Sequence, residues 1–231
     1  MTSTNKKEVL KLLKIIGVDT RFISYTPEII YINNLRFSKF SRKREQTFNK
    51  YYPEIKILRS SLLQKICNHA SKILSHQLKP KDTVLLPEIK DSTDELIIII
   101  LEPYSRKYGI NFVEYKDKDN FKINKKISSL TLNIEAYNIL SDIFTGEGIN
   151  FKRHNNNENV PIIYPFINVS NEWINSFLDN NNKTDYPART YGKLSLSFMD
   201  FISEIIPQYK KNILKSKIFI EKNHKKKKKR F

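Results

Sequence analysis

Apolar positions along the chain switch between helical and strand spacing, and the switches mark out its elements. Val9, Leu10, Leu12, Leu13, Ile15 and Ile16 fall on one broad helical stripe that Gly17 ends. Residues 28–32 (EIIYI) read as a short strand. Behind Pro53, the apolar residues Ile55, Leu58, Leu62, Ile66, Ile73 and Leu74 recur at helical spacing, predicting one long helix from Glu54 to Leu78. A turn (KPKD) then leads to an apolar strand at 83–87 and a polar loop at 88–93. A helix from Asp94 to Tyr108 follows, closed by Gly109, and then a second strand at 110–115. Strand, loop, helix and strand in so short a stretch form a βαβ unit, which requires a parallel sheet.

The pattern continues with a third strand at 127–132 and a helix at 134–144 ended at Gly146. A fourth strand at 162–166 and a helix at 171–178 come next, with Asn133 and Ser170 as candidate caps. Leu194 to Ile206 is helical, Pro207 breaks it, and a final helix runs to about Glu221. Segments 152–159 and 179–192 are polar, Asn-rich loops. The resulting picture is an α/β domain over 54–221, a mostly parallel sheet with flanking helices. An N-terminal helical and basic segment, 1–53, precedes it. A Lys-rich tail, 222–231, is expected to be disordered by self-repulsion.

Composition narrows the function. A chain of 231 residues can bury a sizeable core unaided, and its single cysteine, Cys67, excludes a disulfide framework. The same single cysteine leaves no set of thiolates for a zinc ribbon or an iron–sulfur cluster, and the histidines, His69 and His76 included, lack metal-ligand spacing, so neither protein-bound zinc nor a cluster is expected. The longest apolar run, Leu96 to Leu101, is far shorter than the ~20 residues needed to cross a bilayer. The polar start, MTSTNKK, is unlike a signal peptide. A cytoplasmic protein without a membrane partner is expected.

The net charge is +17, from 41 Lys and Arg against 24 Asp and Glu. That excess points to an anionic partner, with RNA first. Lys152 and Arg153 are basic positions in one polar loop. Arg189, Tyr191 and Lys193, with Tyr186, interleave aromatic and basic residues in another, a pattern suited to base stacking. Lys225, Lys226 and Lys227 can hold phosphates as point charges. A further basic stretch comprises Arg36, Lys39, Arg42, Lys43, Arg44 and Lys50.

The segment LKPKDTVLLPEIKDSTDELIIIILEPYSRKYGINFVEY resembles the opening of PP-loop ATP pyrophosphatase domains of the HUP type, in their tRNA 2-thiolation (2-thiocytidine and 2-thiouridine) branch. Pro87, Glu88 and Ile89 stand where that family has Ser-Gly-Gly. Lys90, Asp91, Ser92 and Thr93 match the Lys-Asp-Ser-Thr that follows. Downstream, SSLTLNIEAYNILSDIFTGEG is similar to the family's later strand and helix, with Glu135, Ala136 and Gly146 in place. VPIIYPFINVSNEWINSFL and YGKLSLSFMDFISEIIPQYKKNIL match its C-terminal portion.

The resemblance implies ATP with Mg2+ as cofactors, held by Lys90, Asp91, Ser92, Thr93 and Glu135, with Asp91 catalytic. The implied reaction is ATP-dependent adenylation of a tRNA base before sulfur transfer. It also implies tRNA as partner. A phosphate cradle needs glycines, whose backbone approaches the phosphates closely and takes positive φ. Here Glu88 adds negative charge and Ile89 a β-branched side chain. The sequence therefore reads as a degenerate member, a partner or diverged paralogue of a protein with an active PP-loop site. The alternative is a non-enzymatic nucleic-acid-binding protein in which Asp91, Ser92 or Thr93 only caps the helix.

Overall fold

The structure is a computed structural model that describes residues 5–146, 148–149, 160–179 and 193–228. Its N-terminal part is a small mixed α/β unit. Helix α1 (Lys6–Ile15) is capped by Asn5, whose side chain accepts from the Lys7 N–H. Strands β1 (Ile23–Tyr25) and β2 (Ile29–Ile32) pair antiparallel. Helices α2 (Leu35–Ser38) and α3 (Arg42–Asn49) follow, and β3 (Lys56–Leu58) then returns parallel to β2. Val9, Leu13, Ile23, Ile30, Ile32, Phe40, Phe48 and Ile55 form its buried core.

The strand expected at 28–32 is β2, while β1 and β3 were not expected, and the single helix expected from Glu54 is corrected. Residues 56–58 pair with β2, Ile30 opposite Ile57, and the preceding Ile55 is buried in the N-terminal core. The helix proper, α4 (Ser61–Gln77), starts only where the Ser60 hydroxyl caps it, accepting from the Leu63 N–H at 3.1 Å. Helical periodicity ran through the strand because its apolar residues face two cores.

The larger sheet has the order β5-β4-β6-β7, all parallel: β4 (Thr83–Leu85), β5 (Asn111–Val113), β6 (Lys125–Ile127) and β7 (Ile162–Ile163). Helix α5 (Ser92–Tyr108) is the crossover from β4 to β5, ended by Gly109 at φ +63°, a left-handed C-cap. Its run Leu96 to Leu101 packs towards the main core and is flanked by the N-terminal unit, so it is apolar almost all round. Glu102 and Arg106 bolt the two units together. Glu102 accepts from the Tyr25 N–H at 3.2 Å and pairs with Lys6, while Arg106 donates to the Thr20 and Ile23 carbonyls at 2.9 Å each.

The third strand lies at 125–127, earlier than the pattern placed it. Two lysines occupy it because the Lys125 ammonium meets the Asp82 carboxylate at 2.6 Å and Asn124 pairs with Thr83 on both sides. Burial works to raise the Asp82 pKa, but the Lys125 and Lys79 contacts win and leave it below the usual range.

Helices α6 (Leu132–Phe144), α7 (Asn171–Asp179), α8 (Lys193–Ile205) and α9 (Tyr209–Lys228) complete the layers. The last continues to Lys228, where a disordered tail was expected from 222. Lysine is a good helix former, and extending a helix already nucleated adds one hydrogen bond per residue fixed. None of the helices among the described residues is long and apolar enough to cross a membrane.

Candidate functional site

In an open parallel sheet, ligands bind beyond the carboxyl ends of the strands where the connections diverge to opposite sides. Here that point lies between β4, which crosses to β5, and its other neighbour β6. Loop 88–93 leaves β4 there, and segment 128–131 leaves β6. Asp91 and Thr93 face Ser129, Thr131, Asn171 and Asn175 across a narrow crevice. Its interior has free space of only about 10 Å3, room for about one water.

The loop is organised by its own carboxylates. Asp91 is the N-cap of α5, its Oδ1 accepting from the Thr93 N–H at 2.8 Å and the Asp94 N–H at 3.1 Å. Asp94 is buried and reaches back to accept from the Lys90 N–H at 3.0 Å. Glu88 pairs with the Lys90 ammonium at 3.0 Å, and this contact raises the Lys90 pKa. Ile89 is 60% exposed, an apolar side chain presented to water. The N–H groups at the helix start, where an anion would be welcome, are thus already satisfied by fixed negative charge.

The opposite wall is a polar seam between helices. Thr131 caps α6, its hydroxyl accepting from the Ile134 N–H and donating to Asn171 Oδ1 at 2.6 Å. Asn133, expected as the cap, instead accepts from the Asn171 N–H at 3.1 Å and donates to Glu172 at 3.0 Å. Lys210 of α9 closes on Glu172. Partial burial works to raise the Glu172 pKa, but hydrogen bonds from Lys210 and Asn133 overcome it and hold the carboxyl down at about 2.

The structure brings Lys90, Asp91, Ser92 and Thr93 together at one helix start. Glu135 it does not bring to the crevice. That residue is completely buried on α6 and receives the Lys217 ammonium of α9 at 2.5 Å, so the expected nucleotide contact gives way to an internal ion pair. Lys152, Arg153, Arg189 and Tyr191 lie outside the described residues. Lys193 opens α8, and Lys225, Lys226 and Lys227 belong to the last turns of α9. Sequence reasoning missed Thr131, Asn171 and Asn175 in the crevice wall. A threonine directly before an apolar helix was the available signal for the first.

The sheet order and the crossover define an α/β fold on a parallel sheet, with loop 88–93 at its switch point. Among solved structures the chain is similar to the U34-tRNA thiolase NcsA from Methanococcus maripaludis with its [4Fe-4S] cluster. The TM-score is 0.53 and the identity 11%, over 73% of this chain and 81% of that one. No protein-family model and no curated protein matches the chain. The likeness bears out, at the level of fold, the resemblance to PP-loop proteins of tRNA thiolation.

It also corrects one expectation. The sequence reading expected no protein-bound iron–sulfur cluster, yet a protein of this fold carries one. The residues of this chain do not fit a cluster of that kind. Cys67 is its sole cysteine and is buried in α4. No group of three or more His, Cys, Asp or Glu among the described residues is placed to hold a metal ion.

Proposed function

We propose that this is a tRNA-binding protein of PP-loop fold whose loop has become a helix cap. It works in the cytoplasm beside an active PP-loop tRNA-modifying enzyme, as partner or diverged paralogue. The carrying observation is the pair Glu88 and Ile89 in the place of the family's glycines, with Glu88 held on the Lys90 ammonium at 3.0 Å beside the Asp91 carboxylate that caps the Thr93 and Asp94 N–H groups. A phosphate placed there would displace one anion and face two more, Asp94 and Glu88. Weakly screened like charges at such distances cost several kcal/mol. The fold of a tRNA thiolase and the net charge of +17 support tRNA as the bound partner.

The reading is tested by fluorescence anisotropy with a labelled tRNA transcript across a salt series. Binding should be saturable, with an affinity that falls linearly on a log–log salt plot. A variant with Lys225, Lys226 and Lys227 changed to Gln should retain most of that slope. Absence of saturable binding at low salt would contradict the proposal.

A further inference from the structure

The basic stretch between the N-terminal strands and α4 forms a surface with a pocket at one end. Phe22 and Phe37 pack with ring centroids 5.2 Å apart and, with Tyr104, line a cavity of about 250 Å3. Phe37 is 52% exposed, unusual for a phenylalanine with a cavity beside it. The Lys107 ammonium stands 5.1 Å from the Phe22 centroid and 5.4 Å from those of Tyr104 and Tyr108, and makes no ion pair among the described residues. Asn33, also in the wall, donates to Ser24 Oγ at 2.8 Å, while its Oδ1 is a buried acceptor with no partner.

From this pocket two further concavities continue over the same unit. Arg21 borders both the pocket and the first, where it neighbours Lys14 and Lys39. Lys39 also lines the second, with Arg42, Arg44 and Arg59. Asp19 is already neutralised by a two-pronged contact with Arg21, at 3.0 and 2.8 Å. Glu45 is likewise held by Arg42 and Arg59. The Arg44 guanidinium donates to the Lys39 carbonyl and lies 2.9 Å from where a Cβ on Gly17 would sit, a closeness only glycine allows. Cations in excess thus track away from an aromatic pocket with amide groups.

We propose that this surface binds an unpaired stretch of RNA, with phosphates along Arg42, Lys39 and Lys14 and one unstacked base in the Phe22–Phe37–Tyr104 pocket. Aromatic faces take bases by stacking, side-chain amides read base edges, and cations follow the backbone. A free mononucleotide would use only one end of this track. The proposal rests on the RNA reading above and assigns that binding to the N-terminal unit.

The test uses the full chain with a short labelled oligouridylate and a labelled RNA duplex. Phe37→Ala should weaken oligouridylate binding about fivefold or more, the usual loss for one stacked base, and leave duplex binding and the salt slope unchanged. Lys107→Gln, at a second wall of the pocket, should act in the same direction. The double variant Lys39→Gln/Arg42→Gln should lower the salt slope for the oligouridylate by about 1.4. All these side chains except Lys107 are well exposed, and unchanged circular dichroism melting would confirm that the variants fold. Wild-type binding that none of the three variants alters would overturn the proposal and leave the RNA reading intact. Failure of the wild type to bind any RNA, tRNA included, would overturn both.

Discussion

Asp91 accepts the Thr93 N–H at 2.8 Å and the Asp94 N–H at 3.1 Å, so that its carboxylate caps the first turn of α5. Replacing Asp91 by Ala removes the cap from a helix that carries much of the core. It should cost about 1 kcal/mol, read as a lower urea midpoint with unchanged slope.

The buried pair Glu135–Lys217 fastens α9 to α6. Glu135→Ala would leave the ammonium buried without its carboxylate and should destabilise by about 3–5 kcal/mol, whereas Glu135→Leu with Lys217→Met should come close to neutral. Denaturant titration of the three proteins separates these outcomes. Equal losses for the single and the double variant would show that the pair is not the fastening.

Glu172 provides a pH signature. Its folded pKa is about 2, below the ordinary 4.5, so the stability it contributes is present above 4.5 and is lost as pH falls through 2. Glu172→Gln should flatten the fall in stability across that window and leave the plateau above it parallel to wild type. The loss would be confined to acid, since the shift is downward.

Cys67 is buried, and burial pushes its thiol pKa far above the ordinary value. It should therefore resist a disulfide reagent at neutral pH in the native protein and react fully in denaturant. Rapid reaction of the folded protein would contradict the packing described for α4.

Much of this was legible in the sequence because it is local. The βαβ unit, Gly109 as a helix stop, and Asp91 among three candidate caps all follow from spacing and turn chemistry. What was hidden depends on distant partners. Lys125 sits in a strand because Asp82, far along the chain, receives its charge. Ile55 leaves the helical pattern for a core made by α1 and β2. The role of Glu135 is set by Lys217, whose position no local periodicity reveals. The aromatic pocket of the N-terminal unit assembles from Phe22, Phe37 and Tyr104, three positions no motif connects.

The central claim is that the loop no longer holds nucleotide phosphates. Calorimetric titration of the purified protein with ATP and Mg2+, on a preparation shown to bind tRNA, tests it most directly. No binding heat up to about 1 mM ATP, the upper end of usual enzyme affinities, is the predicted result. Micromolar binding that disappears in both Lys90→Ala and Asp91→Ala would contradict the account and return the loop to phosphate chemistry.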